Sequence, residues 1–395
     1  MPVSASSLKR LLVKLYLAGS AELTRRLLRG RAAPRDFSRV VIVAALSRHD
    51  GIASGARLQF KALQRLGVDV ELLDATPALR NPFFRIKHRP GSAYIFHGGG
   101  PQTANLISSV LPHAARAHRV AYWAWELPDP PPDWSGCDRN LAEIWTPSGF
   151  SRDSLSRLSE LPIAVVPHYI PADEARVRDA SEPFTVLVMA DSRSSLSRKN
   201  PEGALRAFNA AFGTSSSARL LLKLGGRNDA WHPLEESAGD LLAGGNVEIV
   251  KGYLDEGAMK ALFHRSDVLL SLHRAEGFGL PMLEAMTHGV PVVATGWSGN
   301  MQFMTPAESD LVPYELVAVN DASGIYTDSS WAEPDLAQAA RFLRQLADEP
   351  DHYARRAAAV YRHACDMKPS FPFPDTSDRV QPVIRQSQDL PCPIA

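Results

Sequence analysis

Residues Ser271–Asn300 read SLHRAEGFGLPMLEAMTHGVPVVATGWSGN. The stretch divides into the end of a strand (DVLLSLHR, Asp267–Arg274), a glycine-bearing loop (Ala275–Leu280), a short helix and a second strand (Val290–Thr295). Pro281 suits the first helical position, where its missing N–H is no loss, and Gly289 suits the residue just past the helix, where positive φ is needed. A strand-loop-helix unit turns the N–H groups of the loop and first helical turn toward anything docking above the strand. The helix dipole favours an anion there, phosphate above all. Glu276 lies in the loop and Glu284 one turn into the helix. Phosphate repels both, so if they face a ligand they meet hydroxyls, as carboxylates bind sugar diols. The plainer reading is a solvated loop charge and a dipole complement.

Outward from this unit the β-loop-α pattern repeats. FTVLVMA (Phe184–Ala190), ARLLLKLGG and NVEIVKGYL are further apolar strands separated by helical or loop sequence, the plan of a parallel sheet. After the first of them, DSRSSLSRKNPEGALRAFNAAF places Asn200 and Pro201 as helix cap and first position. Arg193, Arg198 and Lys199 arrive at the sheet mouth ahead of that helix. Cations there oppose the dipole, which suggests an anionic ligand; the plainer reading is a charged, solvated loop. GWSGNMQFM (Gly296–Met304) offers another helix start, WAEPDLAQAARFLRQLAD from Trp331 an amphipathic helix, and residues 350–363 one more.

The first half opens with RVVIVAAL (Arg39–Leu46), a continuous apolar run typical of a buried parallel strand. A glycine-bearing loop with Gly51 and Gly55 follows, then a helix on Leu58, Ala62, Leu63 and Leu66 that stops at Gly67. No G-x-G-x-x-G is present, so dinucleotide binding is weakly supported. His97 ends the strand SAYIFH, ahead of a helix expected over Thr103–Ala117, at the strand end where ligands of doubly wound sheets collect. RVAYWAWELPDPPPDW brings Tyr122, Trp123, Trp125 and Glu126 together, aromatic faces and a carboxylate suited to a sugar, or alternatively a core strand with a proline-rich exit.

At 395 residues the chain is long enough for two α/β domains. Lys+Arg and Asp+Glu are equal at 43 each, which excludes the basic excess of a general nucleic-acid binder. Cys137, Cys365 and Cys392 are far apart, against a disulfide framework and in keeping with a reducing cytosol. No apolar run reaches the length of a transmembrane helix. Residues 7–31 are basic and leucine-rich, fitting either an interfacial helix on anionic lipid or a helix packed on the body.

Glu276 and Glu284 within EGFGLPMLEAMTHGVPVVAT form an E-x7-E arrangement that resembles the donor-site signature of retaining GT-B glycosyltransferases of family four. The W-A-W-E-L run and the later W-x-P-S resemble a subgroup of it. The resemblance spans residues 39–363. It implies two Rossmann-like doubly wound domains, a nucleotide diphosphate sugar as donor and a glycan or lipid-linked acceptor. It also implies roles: Glu284 on the donor ribose, Glu276 on the transferred sugar, the Phe278-Gly279-Leu280 backbone on sugar hydroxyls or phosphate, and Lys199 and Arg193 on the diphosphate; Arg198, at the same sheet mouth, is a further donor-binding candidate. By the same resemblance, the loop of Gly51 and Gly55 faces the cleft, residues 251–254 lie against the nucleobase, and Glu126 stands in for an acceptor-side catalytic residue. His97 and Trp125 are further cleft candidates.

The expected layout is a basic helical segment (1–38), an acceptor-side domain (39–170), a linker (171–183), a donor domain (184–349), a crossover helix (350–367) and a poorly ordered tail (368–395). No D-x-D motif is present, so no metal cofactor is expected. Placement in the cytoplasm, with possible contact at the inner membrane face, follows. The rival readings are a non-catalytic sugar-nucleotide sensor or scaffold and an NAD-dependent oxidoreductase.

Overall fold

The computed structural model describes residues 34–373 apart from His49, Pro82 and 227–230, together with Gly19, Glu22, Thr24, Arg26 and Leu28, which are helical. The interfacial-helix expectation for residues 7–31 otherwise falls outside the described residues, as do Cys392 and the tail beyond Phe373. No helix among the described residues is long and apolar enough to cross a membrane. The chain divides into two compact units. The first holds the chain up to Trp125, Asp129–Tyr169 and the segment from Pro369; the second holds Glu126–Pro128 and Ile170–Lys368.

In the first unit, strands β1 (Arg39–Ala44), β2 (Asp69–Asp74), β3 (Ala93–His97), β4 (His118–Tyr122), β5 (Glu143–Thr146) and β6 (Ile163–Val165) form one sheet in the order β2-β1-β3-β4-β5-β6. Every pair is parallel, with Val40 opposite Val70 on one side and Ala93 on the other. Helices α1 (Gly51–Arg65), α2 (Gly100–Ser109) and α3 (Gly149–Leu155) connect them. Val40, Ile42, Leu63, Ile95, Val120 and Trp145 share one buried cluster, into which alternate residues of β1 and β3 point.

Two expectations are corrected here. Gly51 and Gly55 are not in a loop: Asp50 caps α1 by accepting from the N–H of Ala53, and both glycines are helical. The helix expected over Thr103–Ala117 begins at Gly100 and stops at Ser109, because Pro112 cannot continue it and disfavours a helical residue before it.

The second unit contains β7 (Phe184–Asp191), α4 (Leu196–Lys199), α5 (Pro201–Phe212), β8 (Ala218–Gly225), α6 (His232–Leu242), β9 (Val247–Lys251), α7 (Glu256–His264), β10 (Val268–Ser271), α8 (Leu280–Thr287), β11 (Val292–Thr295) and β12 (Asp310–Val312). Its six strands run in the order β12-β11-β10-β7-β8-β9, all parallel. Side chains alternate between two cores. Val186, Val188, Leu220 and Leu222 face one, with Phe208, Trp231 and Leu343. Leu187, Leu221 and Leu269 face the other, with Phe263, Leu283 and Met286. This period of two explains strands that are apolar on both faces. From β7 the chain runs outward through β8 and β9, then returns to the other side of β7 at β10. The order therefore reverses between β7 and β10, and a crevice opens at their carboxyl ends.

A hairpin of β13 (Tyr314–Ala318) and β14 (Ser330–Pro334) follows, antiparallel, then α9 (Leu336–Asp348) and α10 (Pro350–Asp366). Trp331–Pro334 is thus strand, where helix was expected. The segment before β7 has no regular structure but is fastened to its unit: Asp267 pairs with Arg176 at 2.7 Å and Arg178 at 3.0 Å. Residues 369–373 belong to the first unit. Phe371 and Phe373 stack on each other, and Phe373 lies 4.8 Å from Phe37, centroid to centroid.

Candidate functional site

The crevice of the second unit is built by two loops, one after β7 and one after β10. Asp191 ends β7; Ser195 caps the four-residue helix α4 by accepting from the N–H of Arg198. Asn200 then leaves α4 in the left-handed region (φ 52°), caps α5 by accepting from the N–H of Gly203, and donates from Nδ2 to the carbonyl of Leu272 at 2.9 Å. One asparagine therefore ends one helix, starts the next and ties both to the neighbouring strand exit. Arg198 and Lys199 sit at the carboxyl end of α4, where its dipole suits cations.

After β10, Glu276 is 7% exposed and sits in the grip of those two cations. Its carboxylate pairs with Lys199 Nζ, and with Arg198 Nη1 at 3.3 Å. Arg198 also donates to the carbonyl of Ala275 at 2.6 Å. Burial alone would raise the Glu276 carboxyl, but the charges of Lys199 and Arg198 outweigh it and hold the group at about 2. It stays ionised, an acceptor of hydrogen bonds and not an acid. Its backbone is fixed from the other side, the N–H accepted by Ser298 Oγ at 2.8 Å and the carbonyl receiving the N–H of Gly299 at 2.8 Å. A Cβ on Gly299 would fall 2.1 Å from the carbonyl oxygen of Gly277, so this approach demands glycine.

Helix α8 starts from Gly279, at φ 102°. Phe278 turns its ring into the core against Phe303, 4.8 Å between centroids, leaving the loop backbone as its contribution to the crevice. Glu284, one turn into α8, is partly buried. Its carboxylate has no hydrogen-bond or ion-pair partner among the described residues. Burial, with the charge of Glu256 adding to it, pushes the group up to about 7.

The structure thus brings together Arg198, Lys199 and Glu276, and with them Glu126, whose carboxylate lies 4.0 Å from Arg198 Nη2. Arg193 stands apart: it pairs with Asp191 at 3.0 Å and lies over the Tyr253 ring, 4.8 Å from its centroid. The cations expected to await an anion are therefore each offset by a carboxylate.

The candidates of the first unit are packed inside it. His97 is 2% exposed; its Nε2 is 2.7 Å from Gln59 Oε1, and its ring stacks on Tyr122 at 4.5 Å. Burial holds it neutral. Gly55 lies against His168, whose ring a Cβ would meet at 2.5 Å, and Gly51 is the first residue of α1. Trp125 donates Nε1–H to the carbonyl of Asp129 at 2.7 Å, and Trp123 donates to Thr103 Oγ1 at 2.9 Å. The aromatic set is mainly core, the plainer of the two readings.

Ser195, Ser298, Asp321 and Tyr326 also frame the site and were not singled out from sequence. Only the Asn-Pro pair after Arg198 hinted at the local turn; the contact between Ser195 and Asp321 joins positions 126 residues apart and leaves no local signal.

Residues 180–322 match the family described as Glycosyl transferases group 1. Among solved structures, HepE of Anabaena, in complex with UDP and glucose, superposes with a TM-score of 0.57 at 14% identity, over 83% of this chain and 94% of that one. WaaG, described as a glycosyltransferase involved in lipopolysaccharide biosynthesis, gives 0.54 at 14% identity, over 83% and 95%. TarM gives 0.51 at 13% identity over 69% of this chain, which spans about half (51%) of that longer chain. Compared with the curated proteins, the sequence has no significant match. The two parallel six-stranded sheets are the α/β architecture of the GT-B glycosyltransferase structures, and residues 180–322 are similar to the glycosyltransferase group 1 family.

Proposed function

We propose that the chain is a retaining, family-four-like glycosyltransferase that moves a sugar from a nucleotide diphosphate donor to a glycan or lipid-linked acceptor, in polysaccharide or glycolipid synthesis. The observation that carries this reading is the set at the β7/β10 crevice: Lys199 and Arg198 converging on Glu276, with Glu284 on the adjoining helix left without a hydrogen-bond or ion-pair partner among the described residues. A carboxylate partly desolvated and unpaired is held for a ligand's hydroxyl groups, and the donor ribose supplies a pair of them. Tyr253, 44% exposed beyond the end of β9, offers a face for the base.

In this reading the donor diphosphate enters between Lys199, Arg198 and the N-terminus of α8, and the cations are shared between it and Glu276. As the glycosidic bond breaks, negative charge grows on the leaving diphosphate, and Lys199 and Arg198 stabilise it. Removing one such group typically lowers the rate about 100- to 1000-fold. Glu276, ionised throughout, accepts from hydroxyls of the transferred sugar. The donor phosphate itself takes the acceptor proton, so no separate protein nucleophile is required; Glu126 is the acceptor-side candidate. The basic segment 7–31 would hold the enzyme at an anionic membrane if the acceptor is a lipid.

The test is release of nucleoside diphosphate from a panel of nucleotide sugars with candidate acceptors, with the anomeric configuration of the product read by NMR. A product with the donor's configuration supports the reading. An inverted product removes the retaining assignment, and no transfer from any donor removes the enzyme reading.

A further inference from the structure

The loop between β13 and β14, residues 319–329, belongs to none of the motifs read from sequence, and the family match ends at Ala322, inside it. It nevertheless reaches the Arg198 guanidinium. Asp321 organises it: the carboxylate accepts from Ser195 Oγ and Ser323 Oγ, each at 2.6 Å, and from the N–H groups of Ser323, Ile325 and Tyr326 at 3.2, 3.0 and 3.1 Å. Burial alone would raise this carboxyl; the hydrogen bonds outweigh it and hold the group below its ordinary range. Ser195 is the residue whose oxygen caps α4 at the N–H of Arg198. One hydroxyl therefore joins the loop to the turn that carries Arg198 and Lys199.

Farther along the loop, Tyr326 is 6% exposed, and its ring centroid lies 5.6 Å from the Arg198 guanidinium carbon. Its hydroxyl is hydrogen-bonded to Glu126. Glu126 in turn stands 4.0 Å from Arg198, at the outer limit of an ion pair. Arg198 thus faces two carboxylates while Glu276 already offsets its charge. A second close carboxylate would cancel the positive charge left over by the Arg198–Lys199–Glu276 set and weaken its attraction for an incoming anion. The Tyr326 O–H gives Glu126 another partner, and the Tyr326 ring covers the guanidinium with a face that favours the cation.

We propose that the β13–β14 loop is a positioning element of the anion site: Asp321, through Ser195, fixes the Arg198 turn, and Tyr326 holds Glu126 away from Arg198 so that the guanidinium can receive a diphosphate. The inference rests on the donor-site reading above and adds two positioning residues and the chemical group they serve.

The test is calorimetric titration of the full chain with UDP, GDP, dTDP, CDP and ADP, each against its own nucleoside. Tyr326→Phe keeps the ring and removes only the hydroxyl. It should weaken the preferred nucleoside diphosphate about tenfold and leave the nucleoside unchanged. Adding Glu126→Gln to it removes the freed charge and should restore the wild-type preference. Asp321→Ala should weaken the diphosphate selectively as well. Unchanged diphosphate affinity in Tyr326→Phe, an equal loss for diphosphate and nucleoside, or failure of Glu126→Gln to restore binding overturns the proposal while wild-type binding keeps the donor-site reading. Wild-type protein that binds no nucleoside diphosphate better than its nucleoside overturns both.

Discussion

Replacing Glu284 with glutamine should make the protein more stable and worse at holding its ligand. Burial, with the charge of Glu256 beside it, pushes the Glu284 carboxyl up to about 7 from an ordinary value of 4.5. Below pH 4.5 both folded and unfolded chains carry the proton, and the group is neutral toward stability. Between 4.5 and about 7 only the unfolded chain ionises, so stability falls as pH rises; above about 7 the full penalty is present. Roughly 2.5 pH units at about 1.4 kcal/mol each give about 3 kcal/mol, and partial exposure to solvent reduces this to about 2 kcal/mol. In a unit of about 200 residues, that corresponds to a Tm gain of about 4–8 °C. Scanning fluorimetry of Glu284→Gln against wild type should show this gain at pH 8 and none at pH 4.5. An amide also presents a poorer acceptor to paired hydroxyls, so the added stability should come with lost nucleotide binding, as expected of a functional carboxylate. Equal melting at pH 8, or a gain that ignores pH, would refute the reasoning.

Lys199→Ala should reduce turnover about 100- to 1000-fold while circular dichroism shows the fold intact, at a lower melting temperature because Glu276 loses the first of the charges that offset its burial; turnover within threefold of wild type removes its role. Gly299→Ala places a methyl 2.1 Å from the Gly277 carbonyl and 2.6 Å from that of Glu276. It should destabilise the protein by about 1–3 kcal/mol in urea unfolding and disturb ligand binding through the Glu276 loop. In the first unit, burial depresses His168 to about 4 and His97 well below 6.5. Both stay neutral in the fold and gain a proton on unfolding. Stability should therefore fall as pH drops from about 6.5 toward 4, by about 3 kcal/mol from His168 alone, and His168→Asn should flatten that slope in urea titrations.

Much of this architecture was legible because several signals are local. Pro281, Gly289 and the Asn200–Pro201 pair each mark a helix end by a backbone property of the residue itself, and the structure has Gly289 at φ 67° and Asn200 capping α5. Strands apolar on both faces announced a parallel sheet in each half. What failed depended on tertiary contact. Gly55 reads as a loop residue, yet it lies within α1, and it is glycine because the His168 ring occupies the space a side chain would need. Phe371 and Phe373 sit in a proline-rich stretch, and their fit against Phe37 and Trp145 is a long-range contact that composition does not reveal. At the site, the residue types around Lys199 and Glu276 were readable. The sharing of the Glu276 carboxylate by Lys199 and Arg198 was not, since Lys199 and Glu276 lie 77 positions apart, and the link from Asp321 to Ser195 is more distant still.

The most direct measurement is a thermal-shift panel of UDP, GDP, dTDP, CDP, ADP and NAD on the purified chain, with Glu284→Ala alongside. A ligand at a hundredfold excess over its dissociation constant stabilises by about 2.7 kcal/mol, a shift of several degrees. The account predicts that one nucleoside diphosphate raises the melting temperature of wild type and that Glu284→Ala abolishes the effect. A shift by NAD, or by no nucleoside diphosphate, or one that survives the loss of Glu284, would contradict it.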